Sequence, residues 1–187
     1  SYSWVNDTPG IGLASSGNGN IESLTVSNSG NTPVVATVIV TPTFENEGVA
    51  CQGDSQTFTI TVNPSSQVDE VDNQVLCNGD DSDEINFTTS NTSGTTTYSW
   101  VNDTPSIGLA ATGSGDIASF TAVNNSTSPV TATITATPIY TNEGICCDGP
   151  EETFTITLNP TAQVDDSQDQ IICNGETTSV EFTTQNT

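Results

Sequence analysis

The chain contains no lysine, no arginine, no histidine and no methionine, while 23 of its 187 residues are acidic, for a formal net charge of −23. Each absence removes a class of chemistry. Without histidine there is no Ser-His or Cys-His pair, and without lysine no Schiff-base amine. With neither lysine nor arginine there is no clamp for a transferring phosphoryl group. A pair of carboxylates of the glycosidase type is what remains, and no acid stands in an apolar strand context that would raise its pKa. The sequence therefore does not read as an enzyme. A chain without cations cannot neutralise phosphates, which argues against nucleic acid and anionic membrane surfaces as partners. Divalent cations, polar glycans and basic proteins remain open. The lysine deficit also excludes Lys–Asn isopeptide cross-links. Long apolar runs are missing too. The longest, Val34 to Val40 with Thr37 inside it, falls far short of the ~20 residues of a spanning helix, so no membrane insertion is expected.

What is present is a repeat. Tyr2-Ser3-Trp4-Val5-Asn6-Asp7-Thr8-Pro9 returns as Tyr98-Ser99-Trp100-Val101-Asn102-Asp103-Thr104-Pro105, an offset of 96 (98 − 2). Thr57-Phe58-Thr59-Ile60-Thr61 returns as Thr153-Phe154-Thr155-Ile156-Thr157 at the same offset (153 − 57). Cys51 and Cys77 map onto Cys147 and Cys173. A fixed long period marks stacked copies of one unit. Apolar residues make up 32% of the chain and fall in short alternating runs, enough for a packed β core and unlike a disordered acidic tail.

The segment from about Gln67 to Pro160 holds one whole period and shows no helical spacing. Strands are expected around Val75-Leu76, over Ile85–Thr88, Tyr98–Val101, Ile107–Ala110, Ile117–Val123 and Val130–Ala136, and over Thr153–Leu158. Asn102-Asp103-Thr104-Pro105 and Gly113-Ser114-Gly115-Asp116 read as turns. Trp4 and Trp100 read as core, with a glycan-stacking platform as the other use of an indole. Seven short strands with a tryptophan on the third fit an all-β fold of tandem immunoglobulin-like antiparallel β-sandwich domains. By this phasing residues 1–66 are the C-terminal part of one repeat, 67–160 a complete repeat, and 161–187 the N-terminal strands of a third. Ser65-Ser66-Gln67-Val68-Asp69 and Thr161-Ala162-Gln163-Val164-Asp165 read as linkers.

Five cysteines appear. In an immunoglobulin topology a Cys77–Cys147 bridge is geometrically reasonable, with Cys51 and Cys173 paired outside this segment, although spacing alone does not fix connectivity. Such a bridge implies an oxidising, extracellular compartment. Thiolate-only ligands with no CxxC pair make a poor zinc site. Cys146 replaces Ala50 of the earlier repeat, and a free, vicinal or intermolecular thiol all fit it.

Acids cluster at the expected junctions: Asp69, Glu70 and Asp72 in one, Asp165, Asp166 and Asp169 in the next. With Glu143 and Asp148 from the last loop, they are candidate oxygen ligands for calcium; a solvated acidic surface is the plainer alternative. Asp80, Asp81, Asp83 and Glu84 form a second cluster, with Glu176 as its counterpart. The Asn-x-Ser/Thr sequons at Asn6, Asn86, Asn91 and Asn102 are weak in so threonine-rich a chain.

The strings Val75-Leu76-Cys77-Asn78-Gly79, Tyr98-Ser99-Trp100-Val101-Asn102-Asp103, Ile107-Gly108-Leu109-Ala110 and Thr153-Phe154-Thr155-Ile156-Thr157 resemble the PKD-like, immunoglobulin-fold repeats of very large cell-surface proteins in Bacteroidota. These include gliding adhesins secreted by the type IX route. The resemblance implies a β-sandwich, an extracellular, cell-surface location, no catalytic residues, and a stalk or filament serving adhesion, gliding or capture of other cells. Adjacent repeats or chains of the same protein would be its partners, with a cell-surface glycan or protein as ligand. The doublet Cys146-Cys147 departs from the single cysteine expected there. Two rival functions stand beside the stalk: a self-assembling filament subunit completed by strands from neighbouring chains, and a glycan-binding module.

Overall fold

A computed structural model describes all residues from Ser1 to Thr187. The chain is all-β, with eleven strands. The earlier repeat contributes β1 (Tyr2–Asn6), β2 (Ser16–Asn18), β3 (Val34–Asn46), β4 (Val49–Gln52) and β5 (Gln56–Val62). Next come β6 (Gln74–Cys77), β7 (Thr95–Asn102), β8 (Thr112–Ser114), β9 (Val130–Asn142), β10 (Ile145–Asp148) and β11 (Glu152–Asn159). One sheet runs β2-β1-β3-β4, with β5 also on β3; the other runs β6-β11-β9-β7-β8, with β10 also on β9.

Alternation explains the long strands. In β9, Ala132, Ile134 and Ala136 are buried while Thr131, Thr133 and Thr135 face outward. Antiparallel β11 places Phe154 across from Ile134 and Ile156 across from Ala132, so two period-two patterns meet on one buried face. Burying Phe154, Ile156 and Leu158 contributes roughly 1.5–3 kcal/mol per side chain. Threonine on the outer face is stiff at χ1 and suits a pleated, half-wet surface.

Several expected elements differ. Opening strand β6 runs parallel to β11, pairing Leu76 with Leu158, so the sheet is mixed rather than wholly antiparallel. The segment expected as a strand at Ile107–Ala110 begins as a 3-10 turn, Pro105–Ile107, closed by Gly108 at φ 99. Pro105 favours helical φ there, and Gly108 supplies the left-handed residue that ends the turn. Ile85 and Ile117 meet only through an isolated bridge, as do Asp81 and Thr121. Gly113, expected in a turn, lies on β8 beneath Trp100. Strand β9 continues past Ala136 to Asn142 and folds back as β10 through Glu143 and Gly144, both at positive φ.

The chain divides into two compact units. One comprises Ser1–Val68, Thr89–Thr97 and Pro138–Pro150; the other comprises Asp69–Thr88, Tyr98–Thr137 and Glu151–Thr187. The segment 65–69, read as a linker, is partly buried and hydrogen-bonded, whereas 161–164 is exposed. In each unit a tryptophan, Trp4 or Trp100, is buried in the core, and neither indole N–H finds a partner.

A side chain at Gly113 would bring its Cβ to 2.0 Å from the Trp100 ring, and at Gly17 to 2.2 Å from Trp4. Gly113→Ala is expected to destabilise the fold by about 1–3 kcal/mol through overpacking. Urea denaturation checks this, and an unchanged midpoint would reject the packing argument.

Candidate functional site

A set of side-chain hydrogen bonds recurs in the segments that follow β5 and β11. The segment after β5 is held by Asn91. Its Oδ1 accepts the backbone N–H of Gln67 at 2.8 Å and the Thr89 hydroxyl at 3.1 Å, while Nδ2 donates to the Ser65 carbonyl at 3.0 Å. Thr92 N–H donates to the Asn31 carbonyl at 2.9 Å. Asn186 repeats the arrangement with Gln163 at 2.8 Å, Thr184 at 3.2 Å and the Thr161 carbonyl at 3.2 Å. Thr187 N–H then donates to the Thr127 carbonyl at 3.1 Å. The signal lay in the sequence at an offset of 95, one short of the main period: Thr88-Thr89-Ser90-Asn91-Thr92 against Thr183-Thr184-Gln185-Asn186-Thr187 (186 − 91).

In the same segment Ser66 is fully buried and its N–H reaches the Asp148 carbonyl at 3.4 Å. Gly149 lies so close that a Cβ there would sit 1.8 Å from the Ser66 carbonyl oxygen. Tyr140 is wholly buried, donates to the Thr92 carbonyl at 3.1 Å and packs on Gly94. Burial first, and the neighbouring Cys147 second, push its phenol above the ordinary value.

A second polar device lies inside each repeat, where Asn-Asp-Thr-Pro reads as a plain turn. Buried Asn102 donates from Nδ2 to the Leu109 carbonyl at 3.0 Å and accepts the Thr104 N–H at 3.0 Å. Asn6 makes the same bonds to Leu13 and Thr8. Asp103 accepts the Thr133 N–H and the Thr104 hydroxyl, each at 2.8 Å. Of the four sequons, Asn6, Asn91 and Asn102 thus have their amide nitrogens committed to internal carbonyls, and Asn86 is exposed.

No two of the five cysteines are bonded to each other, so the expected Cys77–Cys147 bridge is not made. Strand register gives the reason. Cys77 pairs across from Asn159, one rung beyond Leu158, which faces Val130; Cys147 pairs across from Tyr140 on the same strand β9. Ten residues of strand (140 − 130) extend about 33 Å, whereas a disulfide needs Cα atoms within ~7 Å. Cys51 and Cys146 are exposed on β4 and β10, with Cys146 Sγ 3.6 Å from the Thr141 hydroxyl. Cys173 is exposed, and its N–H donates to Glu176 at 3.1 Å.

Of the acids proposed as calcium ligands, two accept side-chain hydrogen bonds and the others lie apart from them. Asp69 binds the Thr88 hydroxyl and Asp165 the Thr183 hydroxyl, each at 2.7 Å. Asp80 accepts the Cys77 N–H at 3.1 Å and Asp81 the Thr121 hydroxyl at 2.8 Å. Glu70 and Asp72 share an open cleft of about 320 Å³ with Asp83 and Glu84. Glu143 occupies the β9–β10 turn, Asp148 ends β10, and Asp166 and Asp169 are exposed. No group of three or more His, Cys, Asp or Glu side chains comes together to hold a metal ion.

The least expected feature is an open groove on the earlier repeat. It has a volume of about 340 Å³ and is lined by Tyr2, Trp4, Ile21, Val40 and Phe58 among others. Strand β5 beside it pairs only with β3, which leaves its outer edge without a neighbour. In the later repeat the corresponding edge of β11 carries β6, and Phe87 packs against Tyr98 and Phe154 at ring separations of 5.4 and 6.4 Å.

Compared with known families and curated proteins, the sequence matches no family model and no curated protein.

The pH response of the Asn-Asp-Thr-Pro device follows from its geometry. The backbone N–H of Thr133 first, and the Thr104 hydroxyl second, hold the Asp103 carboxyl below its ordinary value; Thr37 and Thr8 do the same for Asp7. A folded-state pKa below the unfolded one stabilises above the unfolded value near 4, and that stabilisation is lost as pH falls through the folded value. Replacing both residues, Asp7→Asn and Asp103→Asn, should therefore flatten the fall of melting temperature below about pH 4. Parallel wild-type and double-variant profiles would count against this role.

Proposed function

We propose that the chain is a length of shaft from a very large secreted cell-surface protein. In this reading, immunoglobulin-like (PKD-like) β-sandwich repeats of the kind carried by Bacteroidota gliding adhesins are strung in tandem. The array sets reach and bears load in adhesion, gliding or capture of other cells, and the ligand-binding tip lies elsewhere on the protein. The observation that carries this reading is the junction around Asn91, reproduced bond for bond around Asn186. A joint made twice with the same atoms is what a regular array needs, since each repeat must receive its neighbour at a fixed angle.

Two further contrasts support it. Tyr140 is fully buried within the first junction, whereas its counterpart Phe44, 96 positions earlier (140 − 96), is 72% exposed. Gly149 is crowded by Ser66, while a Cβ at its counterpart Gly53 would meet only the Pro42 ring, at 3.2 Å. Carboxylates and hydroxyls dominate the exterior, which suits a solvated shaft and leaves no basic patch for nucleic acid or lipid headgroups.

The direct test is the length of the native polypeptide. A chain of thousands of residues with this period supports the array, and a native product near 19.4 kDa would overturn it. Stiffness at the joint has its own test. Gly149→Ala should open the first junction and expose Ser65–Asp69 to limited proteolysis, whereas Gly53→Ala should leave cleavage there unchanged. Equal protection of the two variants would count against a rigid joint.

A further inference from the structure

We propose that disulfides join consecutive repeats, Cys147 pairing with the opening cysteine of the repeat before its own and Cys77 with the hairpin cysteine of the repeat after. The opening cysteine is the one in Val75-Leu76-Cys77-Asn78-Gly79, and the hairpin cysteine is the one on β10. Membership of the compact units carries the pairing. The β9–β10 hairpin, within Pro138–Pro150, belongs with Ser1–Val68 of the earlier repeat, whereas Cys77 lies in Asp69–Thr88 and belongs with Glu151–Thr187. The hairpin is thus built into the repeat before its own, and the opening segment into its own. Shifted by one period, the hairpin at 234–246 (138 + 96, 150 + 96) joins the unit that already holds Cys77.

Contacts at the ends of β5 and β11 agree. Cys77 pairs across from Asn159, and Gly79 N–H donates to the Ala122 carbonyl at 2.8 Å. One period earlier, Asn159, Leu158 and Ala122 become Asn63, Val62 and Val26. Those three residues share a cleft with Cys147. Asn142, which ends β9 beside the hairpin turn, donates from Nδ2 to Asn63 Oδ1 at 2.9 Å. The place that Cys77 occupies in the later repeat is therefore the place that Cys147 reaches in the earlier one. Neighbouring strands lie about 4.8 Å apart, inside the ~7 Å between Cα atoms that a disulfide spans.

Strand geometry selects Cys147 over its neighbour. Cys147 stands across from buried Tyr140, and Cys146 stands across from Thr141 on the opposite face of the sheet. Cys146 is left as an exposed thiol. In forming the bond two thiols give up two protons and two electrons; an oxidised disulfide accepts them by thiol–disulfide exchange and leaves as two thiols. Such links would limit how far the shaft can lengthen. A bridge from Cys77 to position 243 (147 + 96) bypasses 166 residues (243 − 77), and the next bridge in line starts at 269 (77 + 2 × 96). Only 26 residues (269 − 243) in every two repeats then carry tension.

The pairing rests on the repeat reading proposed above, and peptide mapping of the native polypeptide separates the two. Free thiols are blocked, no reductant is used, and cleavage is at glutamate or aspartate because trypsin has nothing to cut. The Cys146-Cys147 peptide should be linked to an opening peptide other than that of Cys77. Cys77 should be linked to a hairpin peptide other than Ile145–Asp148, and Cys146 should be blocked. In the native polypeptide Cys147→Ser should abolish the first link, and Cys146→Ser should keep it. Single-molecule stretching should give unfolding steps several-fold shorter before reduction than after it; steps that reduction leaves unchanged would count against the bridges. A long native chain with a Cys77–Cys147 link, a Cys146–Cys147 link or all five thiols blocked would overturn the pairing and leave the repeat reading standing. A native chain near 19.4 kDa would overturn both.

Discussion

With no side-chain cation in the sequence, every polar joint in this protein has to be made by neutral donors, and the architecture follows from that constraint. Carboxylates that an ordinary domain would pair with lysine or arginine are bound here by backbone N–H groups and threonine hydroxyls, as at Asp7, Asp103, Asp69 and Asp165. Such bonds are short and directional, and they involve side chains with few rotamers, so little entropy is lost in fixing them. They also hold at salt concentrations that would screen an exposed ion pair. Asparagine takes the place that arginine has elsewhere as a multidentate clamp. Asn102, Asn124 and Asn91 each donate to a backbone carbonyl and accept from a backbone N–H, tying two segments with one amide.

The same economy explains why the segment after β5 is held in place. Ser, Gln and Thr look like flexible spacers by composition, and composition says nothing about which carbonyl an asparagine 24 residues away will reach (91 − 67). Once Asn91 binds Gln67 and Ser65, the backbone between them has little freedom left. Gly149 then becomes necessary because the approaching chain leaves no room for a Cβ. The buried Ser66 backbone and a glycine with no side chain are thus two consequences of one close approach.

Much of the fold was legible because period-two alternation with threonine on the wet face is hard to mistake. Strands β9 and β11 follow directly from Val130–Ala136 and Thr153–Leu158. The parallel pairing of β6 was not legible, since four residues carry no direction of their own and only the partner strand sets it. The isolated bridges at Ile85 and Thr121 escaped for a similar reason: apolar content was right, but loop closure leaves room for single rungs and not a ladder. The cysteine pairing failed on geometry, because a parallel β6 carries Cys77 toward the start of β9 and away from Tyr140. In the candidate site, Phe87 was recognised as a strand residue, but its role as the plug of a slot depends on Tyr98 and Phe154 converging from two other strands.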